Sequence, residues 1–407
     1  MKEFNTKYWI RISLLNLLIV AIVGGIMRYK IGFYFPWLHQ DFLHHAHSHF
    51  AFSGWVTQTL FVYIIDLLLK RNTPLKIKRY EQILTANLIV SYAMLISFTI
   101  QGYQLFSIIF STLSIVISII FTLYYYHDTR KTKFQSRKWF DAALLFSLLS
   151  TLGTFSLIYM MISKSLDQHI YLASVYWYLH FQYNGFFFFG CTGLFINYLS
   201  TKNHQINDKN VFLTLALTCI PLYILSVLWL NPPLWVYLIA GVAAVLQLTV
   251  WIQFIAKIRN LHLFHTSKDT FSFMVFYFGI VSSLIKMLLQ TGSSIPSLSH
   301  LAFGSRAVII AYLHLVLLAF ISVFLISYGD INKCLCVTNS CKNGIKIFLA
   351  GILINEILLA IQGLASFSYT VVPLINESLC IASLIMITGL VVVNYHQQKQ
   401  PYDLAHL

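Results

Sequence analysis

The stretch FLHHAHSHFAFSGWV, residues 42–56, decides how the rest of the chain is interpreted. It places four of the chain's 15 histidines within residues 44–49 and then continues into an apolar run. Ionisable side chains are costly inside a bilayer, so a membrane helix that opens with histidines indicates a functional site. The first question is whether this run belongs to a membrane protein at all.

The composition answers that question. Of the 407 residues, 58% are hydrophobic and 10% are charged, and the mean hydropathy is +0.73. A soluble domain has about 25% charged residues. The sequence therefore predicts an integral membrane protein that contacts the lipid bilayer along most of its length.

Apolar windows long enough to cross a bilayer recur along the whole chain. A span needs roughly 18 residues or more to cross about 30 Å of hydrocarbon. We predict one polytopic, all-α membrane domain over residues 1–407, with twelve spans near residues 8–28, 44–69, 81–101, 105–126, 139–162, 171–199, 211–230, 233–256, 271–291, 305–328, 345–366 and 377–395.

The basic residues predict the orientation of these spans. With the N-terminus in the cytoplasm, the inward loops are rich in lysine and arginine, as in KRNTPLKIKR (70–79) and HDTRKTKFQSRK (127–138). The outward segments contain only Arg28, Lys30 and Lys164, together with Arg306. This is the positive-inside pattern, and it predicts cytoplasmic termini and a bacterial inner-membrane location. It also explains the net charge of +14 without nucleic-acid binding.

Histidines fall on the second, sixth and tenth predicted spans. His180 and His314 lie about 15 Å deep from the outer side, at a rise of about 1.5 Å per residue. In the opening stretch, His44 and His47 share one helix face, and His45 and His49 share another. Neutral imidazole can bind haem iron, copper or zinc. The alternative is that each histidine is a hydrogen-bonded polar residue in a helix interface.

Three motifs resemble a known family. HSHFAFSGW (47–55), WYLHFQYNGFF (177–187) and YLHL (312–315) are similar to segments of the catalytic subunit of haem–copper oxidases, including C-type oxidases and nitric oxide reductases, and of NnrS-type haem proteins. The resemblance implies a twelve-helix bundle like subunit I. It further implies a low-spin haem b between His314 and His47, with His49 as the alternative ligand.

The same resemblance implies roles for a second site. His180 would bind a non-haem metal, with His45 and His49 as further metal candidates, and Asn184 stands where nitric oxide reductases carry a metal-binding glutamate. The chain departs from the family because Tyr312 replaces the first histidine of the tenth-span pair and the seventh span has no histidine. Whether a second haem, copper or iron binds is therefore left open by the sequence. Tyr312, His180 and Asn184 are the candidate catalytic residues.

Three further residues are candidates for cofactor binding. Lys286 and Arg306 lie near the outer ends of their spans, where they could pair with haem propionates. Alternatively, the two side chains extend to the outer water interface of the bilayer. Trp177, just before His180, is expected to border a cofactor.

The expected function is that of a haem-binding membrane protein in electron transfer or in the handling of nitric oxide or oxygen. If it is an enzyme, it is an oxidoreductase similar to cytochrome oxidase or nitric oxide reductase. Its electron partner would be quinol or a cytochrome carrier, and additional membrane subunits could complete it. The alternatives are a transporter or metal-ion carrier that uses the outer histidines, and a non-catalytic assembly subunit.

Overall fold

A computed structural model describes residues 4–165, 167–204, 206–261, 270–299, 305–335, 338–368 and 370–399. All regular secondary structure in these ranges is helical. The α-helices are α1 Thr6–Gly32, α2 Gln40–Phe50, α3 Gln58–Lys70, α4 Ile77–Gln101, α5 Leu105–Thr129, α6 Arg137–Ser163, α7 Gln168–His180, α8 Phe188–Thr201, α9 Lys209–Cys219, α10 Leu234–Arg259, α11 Thr270–Gly292, α12 Arg306–His314, α13 Val323–Ile331, α14 Asn339–Phe367 and α15 Ile375–Gln398.

The helices agree with the prediction of an all-α integral membrane protein. Ten helical runs in the described ranges are long and apolar enough to cross a bilayer. They are Thr6–Gly32, Gln40–Lys70, Ile77–Gln101, Leu105–Thr129, Arg137–Ser163, Leu234–Arg259, Phe271–Gly292, Arg306–Ile331, Asn339–Phe367 and Ile375–Gln398. The count of twelve and the cytoplasmic termini stay predictions.

The two remaining predicted spans have a different form. Residues 168–201 form one unbroken helical run, from the start of α7 to the end of α8. The predicted span 211–230 instead begins as the short helix α9 and continues as two 3₁₀ segments, Pro221–Ser226 and Leu228–Leu230. Proline has no backbone N–H and its ring clashes with the preceding turn, so Pro221 explains why α9 ends at Cys219.

The residue contacts divide the chain into two compact units. Unit 1 comprises residues 1–133, 325–362 and 371–407, and unit 2 comprises residues 134–324 and 363–370. In unit 1, α1 packs against α15 and α2, and α4 packs against α2 and α5. In unit 2, α6 packs against α7 and α8, and α10 packs against α9 and α11. The single domain predicted for residues 1–407 stays a prediction.

Three helical runs in the described ranges contain a π-helical segment. These are π1 Ala51–Thr57, π2 Phe181–Phe187 and π3 Leu315–Ser322. Each begins one or two residues after a histidine, and the segments align as HFAFSG (49–54), HFQYNG (180–185) and HLVLLA (314–319). Single π-helical turns are rare and occur frequently at functional sites. The same local feature thus recurs at each of the three histidine positions.

Glycines let α6 approach the helix that carries His180. A Cβ atom at Gly153 of α6 would lie 2.4 Å from the Ser174 carbonyl oxygen of α7. A Cβ atom at Gly185 of π2 would lie 2.5 Å from the Phe146 Cβ of α6. Small residues allow such close helix packing in membranes, and here they fix the position of α7 and π2 against α6.

The start of α7 is defined by a cap. The Asp167 carboxylate accepts hydrogen bonds from the backbone N–H groups of Ile170 at 3.0 Å and His169 at 2.8 Å. Both bonds lower the pKa of Asp167, and the bond from the Ile170 N–H has the larger effect. The cap satisfies two donors that a helix N-terminus would otherwise leave without partners.

Candidate functional site

His47 contacts helix α1 of unit 1. Its Nδ1 lies 3.1 Å from the Val20 carbonyl oxygen. A carbonyl oxygen can only accept a hydrogen bond, so the ring carries its proton on Nδ1. In the neutral ring the lone pair is then on Nε2, the atom with which a histidine in this tautomer can ligate a metal.

His314 shows the same pattern in unit 2. Its Nδ1 lies 2.9 Å from the carbonyl oxygen of Ile310, one turn earlier in α12. The proton is again assigned to Nδ1 and the lone pair to Nε2. The two histidines predicted to ligate haem therefore share one tautomer, which in each case a backbone carbonyl fixes.

His45 and His49 lie on the other face of α2 and contact α4 and the residues after it. The His49 ring stacks on Phe98 at a centroid distance of 4.4 Å and an angle of 14°. Its Nε2 lies 3.3 Å from the Tyr103 hydroxyl. The His45 ring lies 4.9 Å from the Tyr103 ring. The sequence-based expectation that His47 and His49 face different ways agrees with these contacts.

His180 is buried, and both of its ring nitrogens are hydrogen-bonded. Nε2 donates to the Cys219 carbonyl oxygen at 2.8 Å, and Nδ1 accepts from Asn184 Nδ2 at 3.1 Å. In a continuous α-helix, the N–H of residue 223 would bond to that carbonyl. Because the helix breaks at Pro221, the Tyr223 N–H bonds to Ile220 instead. His180 thus satisfies a carbonyl group that the break exposes.

These bonds bear on the predicted second metal site. With both nitrogens engaged, His180 would have to give up a hydrogen bond before it could bind a metal. Asn184 Oδ1 is buried and has no hydrogen-bond partner among the described residues. The metal-binding roles of His180 and Asn184 stay predictions.

Trp177 and Tyr312 lie in the aromatic interior of unit 2. Trp177 Nε1 donates to the Leu149 carbonyl oxygen at 2.8 Å, and its ring packs 4.7 Å from Phe181. The half-buried Tyr312 ring lies 6.3 Å from the Tyr183 ring. Trp177 therefore connects α7 to α6.

The two predicted propionate partners have very different surroundings. Lys286 is only 2% exposed, and its Nζ lies 5.7 Å from the centre of the Phe188 ring. It is close enough to His180 and Cys219 for electrostatic interaction, and in the described part of the chain it forms no ion pair. Arg306, the first residue of α12, is exposed. Lys286 is therefore a buried amine, whereas Arg306 can reach solvent or headgroups.

The described ranges contain no group of three or more His, Cys, Asp or Glu side chains arranged to hold a metal ion. The sequence prediction did not identify Val20 and Gly24, against which His47 packs. A Cβ atom at Gly24 would lie 3.0 Å from His47 Cε1. The sequence feature that could have indicated this contact is the pair of adjacent glycines at residues 24 and 25 of the first span.

Comparison with known proteins leaves the family open. No protein-family model matches the chain, and no curated protein matches it significantly. The relation to haem–copper oxidases therefore stays a hypothesis that rests on the three histidine motifs.

Proposed function

We propose that the chain is a membrane haem protein in which His47 and His314 would hold a low-spin haem b, and that it transfers electrons. The observation that carries this proposal is the shared hydrogen bond from Nδ1 to a backbone carbonyl oxygen. Metal-ligating histidines almost always donate their second N–H to such a partner, which fixes the tautomer and the ring orientation.

The surroundings of Lys286 support an anionic cofactor. A buried ammonium group is costly unless an anion pairs with it. No described carboxylate forms an ion pair with Lys286, so a carboxylate supplied by a ligand would meet this need. A haem propionate is such a carboxylate, and Lys286 is the residue we assign to it.

Electron transfer is favoured over gas chemistry. A bound haem b would supply a one-electron couple, and two axial histidines leave no open coordination position for a gas. Nitric oxide or oxygen chemistry would need a second site that involves Tyr312 or His180. Both His180 nitrogens are engaged by the protein itself, which does not favour that variant.

For the membrane topology, we propose twelve spans with both termini in the cytoplasm of a bacterial inner membrane. The basic inward loops support this arrangement. The helical run 168–201 and the broken segment that starts with α9 would be the sixth and seventh spans. The chain has no Cys-x-x-Cys-His motif for covalent haem attachment. Its electrons would come from quinol or a separate cytochrome carrier.

The test is the haem content of single-site variants purified from cells supplied with haem. His47→Ala and His314→Ala are each expected to lose the low-spin reduced-minus-oxidised spectrum, because either change removes an axial ligand. His169→Ala is the matched control, since His169 is exposed at the outer start of α7. The wild-type spectrum is expected not to shift when carbon monoxide or nitric oxide is added.

Full haem retention by both variants would contradict the ligand assignment. Wild-type protein without haem, despite ample supply, would contradict the function itself. That second result would favour the metal-ion carrier or the assembly subunit, which direct metal analysis of the purified protein would separate.

A further inference from the structure

Helix α1 has two adjacent glycines, and Gly24 is the one that lies against the His47 ring. A Cβ atom at Gly24 would lie 3.0 Å from His47 Cε1 and 3.5 Å from Nδ1. A Cβ atom at Gly25 would instead meet Ile387 Cδ1 at 2.8 Å. A side chain at residue 24 would therefore force the His47 ring to move by a few tenths of an ångström.

The spacing of Gly24 and Val20 explains how a glycine favours this contact. In an α-helix, the N–H of residue 24 bonds to the carbonyl of residue 20, and a Cβ atom at residue 24 tilts toward the N-terminus, over that carbonyl. A carbonyl oxygen has two lone pairs and can accept a second bond. Without a side chain at residue 24, His47 Nδ1 reaches the Val20 oxygen at 3.1 Å.

We infer that Gly24 is the positioning residue for His47. By leaving the Val20 carbonyl accessible, it fixes the ring proton on Nδ1 and presents the Nε2 lone pair. The position of the His47 ring follows from its contacts with α1. The binding of haem iron by the Nε2 lone pair rests on the proposed haem function. Such outer partners set ligand orientation and basicity, so Gly24 controls haem affinity and reduction potential through His47.

The experiment compares full-length Gly24→Ala with the neighbouring Gly25→Ala, both in liposomes. In ¹⁵N-histidine-labelled protein, the His47 signal is identified as the one that His47→Gln removes. We expect the wild type and Gly25→Ala to show His47 protonated on Nδ1, and Gly24→Ala to lose this tautomer. A wild-type NMR spectrum that shows His47 protonated on Nε2 would by itself contradict the positioning role. The test therefore remains valid even if Gly24→Ala misfolds.

Haem titration and potentiometry give the second readout. Gly24→Ala is expected to bind haem about 10–100-fold more weakly, the usual effect of losing an outer hydrogen-bond partner. Its reduction potential is expected to rise, because a less basic ligand stabilises the oxidised iron less. Gly25→Ala is expected to match the wild type.

Two results would overturn this role of Gly24. One is a wild-type His47 protonated on Nε2, and the other is a Gly24→Ala protein with the wild-type tautomer and haem affinity. A wild type that binds no haem, but whose Nδ1 tautomer is lost in Gly24→Ala, has a different meaning. This result would contradict the haem function but support the positioning of His47 by Gly24.

Discussion

At the scale of single residues, the three deep histidines differ in what their ring nitrogens contact. His47 and His314 each donate one N–H to a backbone carbonyl oxygen. His180 uses both nitrogens, one of them to satisfy a carbonyl at a helix break. Identical residue types in similar motifs therefore differ in the backbone and side-chain groups that their ring nitrogens contact.

Lys286 provides a prediction at the same scale. Lys286→Met removes a buried amine without changing the length of the side chain much. If the lysine pairs with a propionate, haem affinity should fall about 30-fold or more, because truncating one partner of a buried charge pair costs about 2–5 kcal/mol. Haem titration measures this loss.

The exposed Lys164→Met is the control for Lys286→Met. The haem-free Lys286→Met protein should be at least as stable as the wild type, since it no longer buries a polar amine that has no anionic partner. Unchanged haem affinity in Lys286→Met would exclude the propionate role.

The sequence identified the candidate ligands but not their partners. His47, His180 and His314 are recognisable because histidines are rare and costly in membrane spans. The partner of His47 is the Val20 carbonyl, 27 residues earlier in the chain. Any residue type carries a backbone carbonyl, so the sequence has no signal for this bond.

At the scale of helical elements, π1 depends on polar side chains from neighbouring helices. Asn16 Nδ2 of α1 donates to the Gly54 carbonyl oxygen at 2.6 Å, and Asn87 Nδ2 of α4 donates to the Ser53 carbonyl oxygen at 3.1 Å. Non-α-helical backbone at membrane depth must be satisfied within the protein. These two asparagines therefore stabilise π1, just beyond the histidine cluster of α2.

Replacing Asn16 tests the dependence of π1 on α1. Asn16→Leu leaves the Gly54 carbonyl without this donor and should destabilise the protein by about 1–3 kcal/mol, the usual cost of an unsatisfied buried group. Tyr92→Phe is the comparison, because it removes only the hydroxyl that donates to Asn16 Oδ1 at 2.9 Å. Its cost should be smaller, about 0.5–1.5 kcal/mol.

Detergent-induced unfolding followed by circular dichroism measures both Asn16→Leu and Tyr92→Phe. Equal stability of Asn16→Leu and wild type would show that π1 does not need this bond.

Helix positions could be predicted from the sequence, but helix types could not. The second span was predicted at 44–69, and the helical run covers Gln40–Lys70, because span length follows from bilayer thickness. A π-helical turn changes the backbone hydrogen bonding inside a continuous span without changing its average hydropathy, so hydropathy has no signal for it. The break after α9 did have a signal in Pro221, which a hydropathy window averages out.

At the scale of the whole molecule, the sequence correctly predicted an all-helical membrane protein. The orientation is a further prediction that cysteine labelling can check. In intact cells, an impermeant maleimide should label Lys164→Cys, placed outside, but should label Arg259→Cys only after permeabilisation. Both positions are exposed, whereas the native cysteines in the described ranges are buried. The unaltered chain serves as the blank.

The seventh predicted span decides the outcome at Arg259. If the segment that begins with α9 did not cross the bilayer, α10 would run in the opposite direction. Arg259→Cys would then be labelled in intact cells, and the twelve-span arrangement would be wrong.

The most direct measurement is the pyridine haemochrome of the wild-type protein, purified in detergent after expression with ample haem. We expect about one haem b per chain, with a reduced spectrum that carbon monoxide does not shift. A well-folded, monodisperse protein with no haem would contradict the assignment of His47 and His314 as haem ligands.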